Sequence, residues 1–207
     1  MLSLKEIYDD ARVKLEGRLT QYRLLHSIST SDIAALMAEV YGVNRDHALV
    51  AGLLHDWDKA YTDEELLKRA QQFGIEMPDD PQKLASLIHA HTGARAVAKE
   101  YPNLPPEIIQ AIERHTSATT DMSPLDMIIY ISDMIEPLRT APNLPRLRSL
   151  AGNIPLDELF RACYLESLDR LIRRRRYLHP NSVEVWNTYV ANDPQQHKIC
   201  HGDGKKG

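Results

Sequence analysis

The sequence predicts an all-α fold, a helical bundle with a further helical layer at its C-terminal end. Three observations support this. Apolar residues recur near i, i+3 and i+4 through most of the chain, as between Leu24 and Val40. Capping residues and helix-stopping glycines and prolines punctuate these stretches at helical lengths. Alternating β-branched runs joined by hairpin turns, the signature of a sheet, do not occur.

Each element has its own signals. Ser3-Leu4-Lys5-Glu6 has the spacing of a capping box and opens a first helix. Leu24 to Val40 forms a second, stopped by Gly42. Asn44 caps a buried helix through Leu54 that ends at His55 and Asp56. Thr62-Asp63-Glu64-Glu65 is another capping box, and Gly74 after Phe73 closes its helix. One helix leads from Pro81 to His89, and another starts after Thr92 and runs to Tyr101. Pro105-Pro106 opens a helix ending at His115, and Ser123-Pro124 opens one that reaches Glu136, with Pro137 following. Thr140 to Pro155, with Pro142, Pro145, Gly152 and Pro155, reads as a connection to the C-terminal layer. There Leu156 to Tyr177 makes a long helix, and Asn181 caps a last one to about Ala191. Residues 1–193 are expected to form one helical domain, and the polar, Gly/Lys-rich stretch 194–207 a disordered tail.

Composition narrows the function classes. A chain of 207 residues that is 43% hydrophobic and 26% charged has the make-up of an ordinary soluble globular protein. The net charge of -4 carries no global signature of nucleic-acid binding. Cys163 and Cys200 lack metal-type spacing, so neither a disulfide scaffold nor a thiolate site is indicated. The longest apolar run, Ala48 to Leu54, is far too short to span a bilayer, and the first residues lack the apolar core of a signal peptide. A cytoplasmic protein with neither a nucleic-acid nor a membrane partner is expected; the oligomeric state is open, a homodimer included. No glycine-rich phosphate loop is present, which argues against a P-loop NTPase.

The chemistry-bearing residues are histidines and aspartates strung at long intervals: His26, the pair His55-Asp56, His89, His115 and Asp133. Most lie in otherwise apolar helical stretches, where burying imidazole and carboxylate is costly unless the groups pair or bind a metal. Nitrogen and oxygen donors suit Fe, Mn, Co, Ni or Zn. Six candidate ligands exceed the needs of one tetrahedral ion, whereas two ions sharing Asp56 would use them all. His91 is two residues from His89, on a different helical face, so both are not expected at one ion. Thr116, just after His115, can donate a hydroxyl to a phosphate.

The pair alone is a weak motif, but its surroundings are specific. Leu53-Leu54-His55-Asp56-Trp57-Asp58-Lys59, the isolated His26 upstream, Leu87-Ile88-His89-Ala90-His91, Ala111-Ile112-Glu113-Arg114-His115-Thr116 and Ile131-Ser132-Asp133-Met134-Ile135-Glu136-Pro137 occur in the order of the HD-domain phosphohydrolase superfamily. The chain resembles its YqeK-type members, the symmetrical dinucleoside tetraphosphate hydrolases, from about Tyr22 to Arg139 and more weakly to about Ala191. The resemblance implies an HD-domain helical bundle and a binuclear center, with iron as the usual metal. It also implies His26, His55, Asp56, His89, His115 and Asp133 as ligands. Lys59 matches the family's His-Asp-x-x-Lys, and Arg139 its Ile-Glu-Pro-x-Arg, which makes both candidate phosphate contacts beside Asp56 and Thr116 in the catalytic set. His91 stands where the family has proline, leaving it free to support a ligand or touch substrate. Asp58 replaces a small residue and is expected to be an exposed carboxylate, with an extra base as the alternative. The implied reaction is attack by metal-activated water that splits diadenosine tetraphosphate into two ADP. The same ligands would serve an HD-type nucleotidase or phosphodiesterase on another nucleotide, or a non-catalytic metal or nucleotide sensor.

Overall fold

The computed structural model describes residues 2–77 and 80–191, and among these residues it contains no strand. Most of the local signals in the N-terminal half act where the sequence places them. Ser3 and Glu6 exchange hydrogen bonds in a full capping box at the start of α1 (Leu4–Glu16). Thr20 caps α2 (Gln21–Tyr41), which Gly42 ends in the left-handed conformation at φ 71°; a residue with a Cβ would lose about 1–2 kcal/mol there. Asn44 Oδ1 accepts the amides of Asp46 and His47 at the head of α3 (Arg45–Leu54). A second capping box joins Thr62 and Glu65 at α4 (Asp63–Gln72).

The expected break after His89 does not occur. A single helix, α5 (Pro81–Glu100), carries His89, His91 and Gly93. Gly93 lies within this helix beside the turn that bears Asp58, where a Cβ would make only an ordinary contact, 3.5 Å from the Asp58 amide nitrogen. Pro106 sits in the first turn of α6 (Pro106–Arg114), where its missing N–H has no helical partner to lose. Ser123 and Asp126 box the start of α7 (Pro124–Ile135). The stretch from Thr140 to Pro155 holds a helix of its own, α8 (Leu144–Leu150), with Pro145 in its first turn. Helix α9 (Leu156–Arg173) stops short of Tyr177. Asn181 makes no capping hydrogen bond to α10 (Ser182–Trp186); its amide donates to the Ala118 carbonyl at 2.9 Å, and the chain runs on into a π-helical turn, Asn187–Ala191. The expected tail, 194–207, lies outside the described residues.

Helix α7 is the central element. Its Leu125, Ile128, Ile129, Ile131 and Ile135 are buried against α2, α3, α6, α8 and α9, each such side chain contributing about 1.5–3 kcal/mol by leaving water. Helices α2 and α3 make the closest approach. A Cβ on Gly52 would meet the Ser31 Cα at 2.7 Å, so glycine is what lets α3 press its backbone onto α2. The C-terminal layer is joined edge to face through Tyr130 and Phe160, whose rings lie 5.2 Å apart. No described helix is long and apolar enough to cross a membrane.

Candidate active site

Five elements deliver the histidine and aspartate side chains to one place. His26 comes from the buried polar face of α2, with Ser27, Thr30 and Ser31. His55 closes α3, and Asp56 lies on the tight turns that follow. His89 is mid-way along α5, His115 closes α6, and Asp133 is near the end of α7. All but Asp133 are almost wholly buried; the Asp133 side chain is 24% exposed, toward the cleft.

The orientation of the four imidazoles is set from behind. Nδ1 of His55, His89 and His115 each lies 2.7 Å from the carbonyl three residues upstream, on Gly52, Ser86 and Ile112. His26 Nδ1 instead faces Glu136 Oε1 at 3.0 Å, across 110 residues of sequence. A carbonyl or carboxylate that accepts a hydrogen bond from Nδ1–H keeps the proton on that nitrogen and turns the Nε2 lone pair forward, the arrangement that supports a metal-ligating histidine.

The forward atoms converge on Asp56. His26 Nε2 and His55 Nε2 stand 3.9 and 3.6 Å from its Oδ2, and His89 Nε2 and His115 Nε2 stand 3.1 and 3.8 Å from its Oδ1. Asp133 Oδ1 joins the first group, 2.9 Å from His26 Nε2 and 3.6 Å from His55 Nε2. Two groups of donors sharing Asp56 result, His26-His55-Asp56 and Asp56-His89-His115, and within each the ligand atoms lie within 4.8 Å of one another.

These residues fit divalent cations. Nε2 of His26 and of His55 are buried without a hydrogen-bond partner among the described residues, despite the nearby carboxylates, which is costly unless something else occupies the lone pairs. Donors on a common ion at about 2.0–2.2 Å are about 3–3.5 Å apart, close to the spacings here. The ionisation states agree. Burial opposes charge on Asp56, yet His55, His115 and His89 hold its carboxyl well below the ordinary range. Asp133 is likewise held low against burial, by His26, His55 and Arg139. Burial pushes His89 down to about 4 and lowers His115, leaving both neutral, the ligating form. On His55 the Asp56 and Asp133 charges outweigh burial and raise its pKa.

Three cations ring the cluster. Lys59 is not one helical turn beyond His55, because α3 ends at Leu54 and tight turns follow. It arrives all the same, with Nζ 3.3 and 3.4 Å from the two ring nitrogens of His89, and burial lowers its pKa against the pull of Asp56. Arg139 Nη2 is 2.5 Å from Asp133 Oδ1. Arg23 Nη1, 3.3 Å from Asp56 Oδ2, was not expected from sequence, although it lies one turn upstream of His26 on the same helix. Thr116 Oγ1 is buried without a described partner and lines the same cleft, of about 470 Å³.

Other placements were not foreseen. Asp58 is fully buried rather than exposed: Arg69 grips it through Nε and Nη2 at 2.9 and 3.1 Å, and Arg18 adds a contact at 3.3 Å. His91 turns away from the cluster toward Glu113, at 3.4 Å. Glu136 had no assigned role, although a carboxylate ending an apolar helix runs against the helix dipole and is itself a signal. Arg148 donates to the carbonyls of Ile135, Glu136 and Arg139 at 2.6–2.8 Å and so fixes the segment that bears Arg139.

Comparison with known proteins identifies the family. The HD domain profile matches residues 23–138. A symmetrical bis(5'-nucleosyl)-tetraphosphatase of Halalkalibacterium halodurans is 27% identical over 173 residues, 84% of this chain and 91% of the relative. One of the same name from Bacillus subtilis is 26% identical over 186 residues, 88% and 97% of the two chains. The crystal structure of a predicted HD superfamily hydrolase involved in NAD metabolism from Clostridium acetobutylicum superposes with a TM-score of 0.84 at 29% identity, covering 92% of this chain and 98% of that one.

Proposed function

This chain belongs to the HD domain family, and on that footing we propose that it is a metal-dependent hydrolase that cuts diadenosine tetraphosphate symmetrically into two ADP at a pair of cations. The observation that carries the reading is Asp56 shared between two sets of imidazoles in a cleft ringed by Arg23, Lys59 and Arg139. The names of the relatives supply the substrate.

His26, His55, Asp133 and Asp56 Oδ2 would hold one cation, and Asp56 Oδ1, His89 and His115 the other. When bound, such a pair lowers the pKa of water and clamps phosphoryl oxygens in an in-line displacement. We take iron as the metal, within a donor set that also suits Mn, Co, Ni and Zn. The chain's own residues do the rest. Glu136 and the carbonyls of Gly52, Ser86 and Ile112 keep the imidazoles aimed, with Nε2 toward the cations. Lys59, Arg23 and Arg139 receive the phosphate chain and offset the charge that develops on it. Thr116 Oγ1 supplies a further donor to a phosphoryl oxygen, and Arg148 keeps Arg139 in place.

Product analysis with diadenosine tetraphosphate and metal-quantified protein tests the reading. ADP as the sole product, absent with the His55→Ala, Asp56→Ala double variant, is the expected result. AMP plus ATP would mean asymmetric attack and overturn the substrate assignment. Folded protein that binds no metal under reducing, iron-replete conditions would overturn the whole reading.

A further inference from the structure

We propose that the cleft between α5, α9 and residues 175–179 seats one of the two nucleotide ends of the substrate, so that the chain grips a dinucleotide on both sides of the cation site. The inference rests on the symmetric-cleavage reading. A cut in the middle of a tetraphosphate leaves an equal nucleoside diphosphate on each side of the reacting bond, and the protein needs space for both. The cleft at the histidine cluster, about 470 Å³, adjoins a second of about 1020 Å³ with which it shares part of its wall. Ligand sites run from about 300 to 1,000 Å³, so each has room for a nucleotide. Leu87, Thr116, Tyr130, Ser167 and Arg170 line both clefts and form that shared wall.

The second cleft has the chemistry of a phosphate and base site. Lys83, Arg170, Arg175 and Arg176 line it against one carboxylate, Asp63. Lys83 is already paired with Asp80 at 2.6 Å, but the three arginines make no ion pair with a described residue. Unpaired guanidinium forks are suited to phosphate. Tyr177 is 45% exposed at the same cleft, with Lys83 Nζ over its ring 5.2 Å from the centroid, an aromatic surface beside a cation at which a base and its phosphate can be received. Thr116 Oγ1, buried and without a described partner, belongs to the shared wall.

A backbone outlier supports the assignment. After α9 the amides of Arg175 and Arg176 close back on the Ile172 and Leu171 carbonyls, both at 2.9 Å, and Arg175 takes φ 51°. That is the left-handed position where a helix end normally carries glycine. Glycine would make the turn without strain, so the arginine is explained by its side chain, which lines the cleft. The basic run Arg173 to Arg176 is thus divided: Arg173 pairs with Asp169, while Arg175 and Arg176 face the cleft.

The test uses Arg175→Gly, the Arg170→Ala, Arg175→Gly double variant, and Arg174→Ala, a neighbour outside the cleft, as control. Arg175→Gly should leave Tm unchanged or higher, since it relieves the strain, while KM for diadenosine tetraphosphate rises about tenfold with kcat nearly constant. A purely structural arginine would instead lower Tm when removed and leave KM at the wild-type value, which would count against the proposal. Calorimetric titration of the metal-loaded protein with ADP should give two sites per chain in the wild type and one in the double variant, without any need for turnover. Two ADP sites and a wild-type KM in the double variant would overturn the proposal. Absence of ADP formation by the wild type would overturn the symmetric-cleavage reading instead, and the count of ADP sites would still decide whether the second cleft binds a nucleotide.

Discussion

Asp56 and Asp58 are buried two residues apart on one turn, and their charges are compensated from different sources. Asp58 faces two guanidinium groups of its own chain, and these are themselves fixed, Arg18 over Trp57 at 4.5 Å and Arg69 over Tyr61 at 4.4 Å. Its oxygens have their partners, and nothing further is needed. Asp56 faces imidazoles, two of them held neutral by burial, with a single arginine at 3.3 Å. A buried carboxylate among nitrogen lone pairs leaves charge to be supplied from outside. The difference teaches that two equally buried aspartates are told apart by the origin of the neutralising charge, which is the basis for proposing Asp56, and not Asp58, as the ligand.

The largest expected effect breaks the comparison on the Asp56 side. Asp56→Asn removes the shared ligand and should lower kcat/KM by about 10³-fold or more, the scale of losing a preorganised electrostatic group. Metal should then no longer raise Tm, as it does for any ligand that binds only the folded state. A variant that retains metal-dependent stabilisation would show that Asp56 does not bridge. Asp58→Ala should do the converse. Leaving two buried-side guanidinium groups unpaired costs about 3 kcal/mol, the low end for a broken buried pair because Arg18 and Arg69 keep some access to water. Denaturant unfolding reads that loss, and metal bound per folded chain should be unchanged. Smaller again is Glu136→Ala, which frees the His26 ring and should weaken metal binding about 10–100-fold; Glu136→Gln, with an oxygen still available at Nδ1, should recover part of it. Equal affinity in both variants would remove Glu136 from the positioning of His26.

How far the sequence could be read follows the range of the interactions. Caps are local, so Ser3, Asn44, Thr62 and Ser123 were legible and all act as caps. The six proposed ligands stand out in the sequence because most are costly in an apolar helix and their order resembles that of a family. Glu136 and Arg23 were not assigned, since what gives them meaning is contact with His26 across 110 residues and with Asp56 across 33. Asp58 was misread for the same reason, because Arg69 and Arg18 come from elements with no pattern that points to it. The helix at Leu144–Leu150 was hidden by the prolines around it, of which Pro145 is a first-turn residue, and the expected break between His89 and Thr92 gives way to one continuous helix, Pro81–Glu100.

The smallest effect sharpens the comparison by testing whether the site depends on the helix that carries it. Helix α3 starts at Asn44, whose Oδ1 accepts the Asp46 and His47 amides at 3.0 and 3.1 Å, and ends where His55 and the two aspartates begin. Asn44→Ala leaves those amides to water and should cost about 1 kcal/mol of stability. The far end of α3 is held independently, by the Gly52 approach to Ser31 and by the His55 bond to the Gly52 carbonyl. Fraying at Asn44 should therefore not reach the ligands. Denaturant midpoints should fall while metal affinity and kcat/KM stay at wild-type values. A parallel loss of metal affinity would mean that Asp56 is placed by the whole length of α3 rather than by its packed C-terminal turn. The Asp58 pairing, which rests on Arg69 from α4 and Arg18 from the segment after α1, would then be the only one of the two that the helix start leaves untouched.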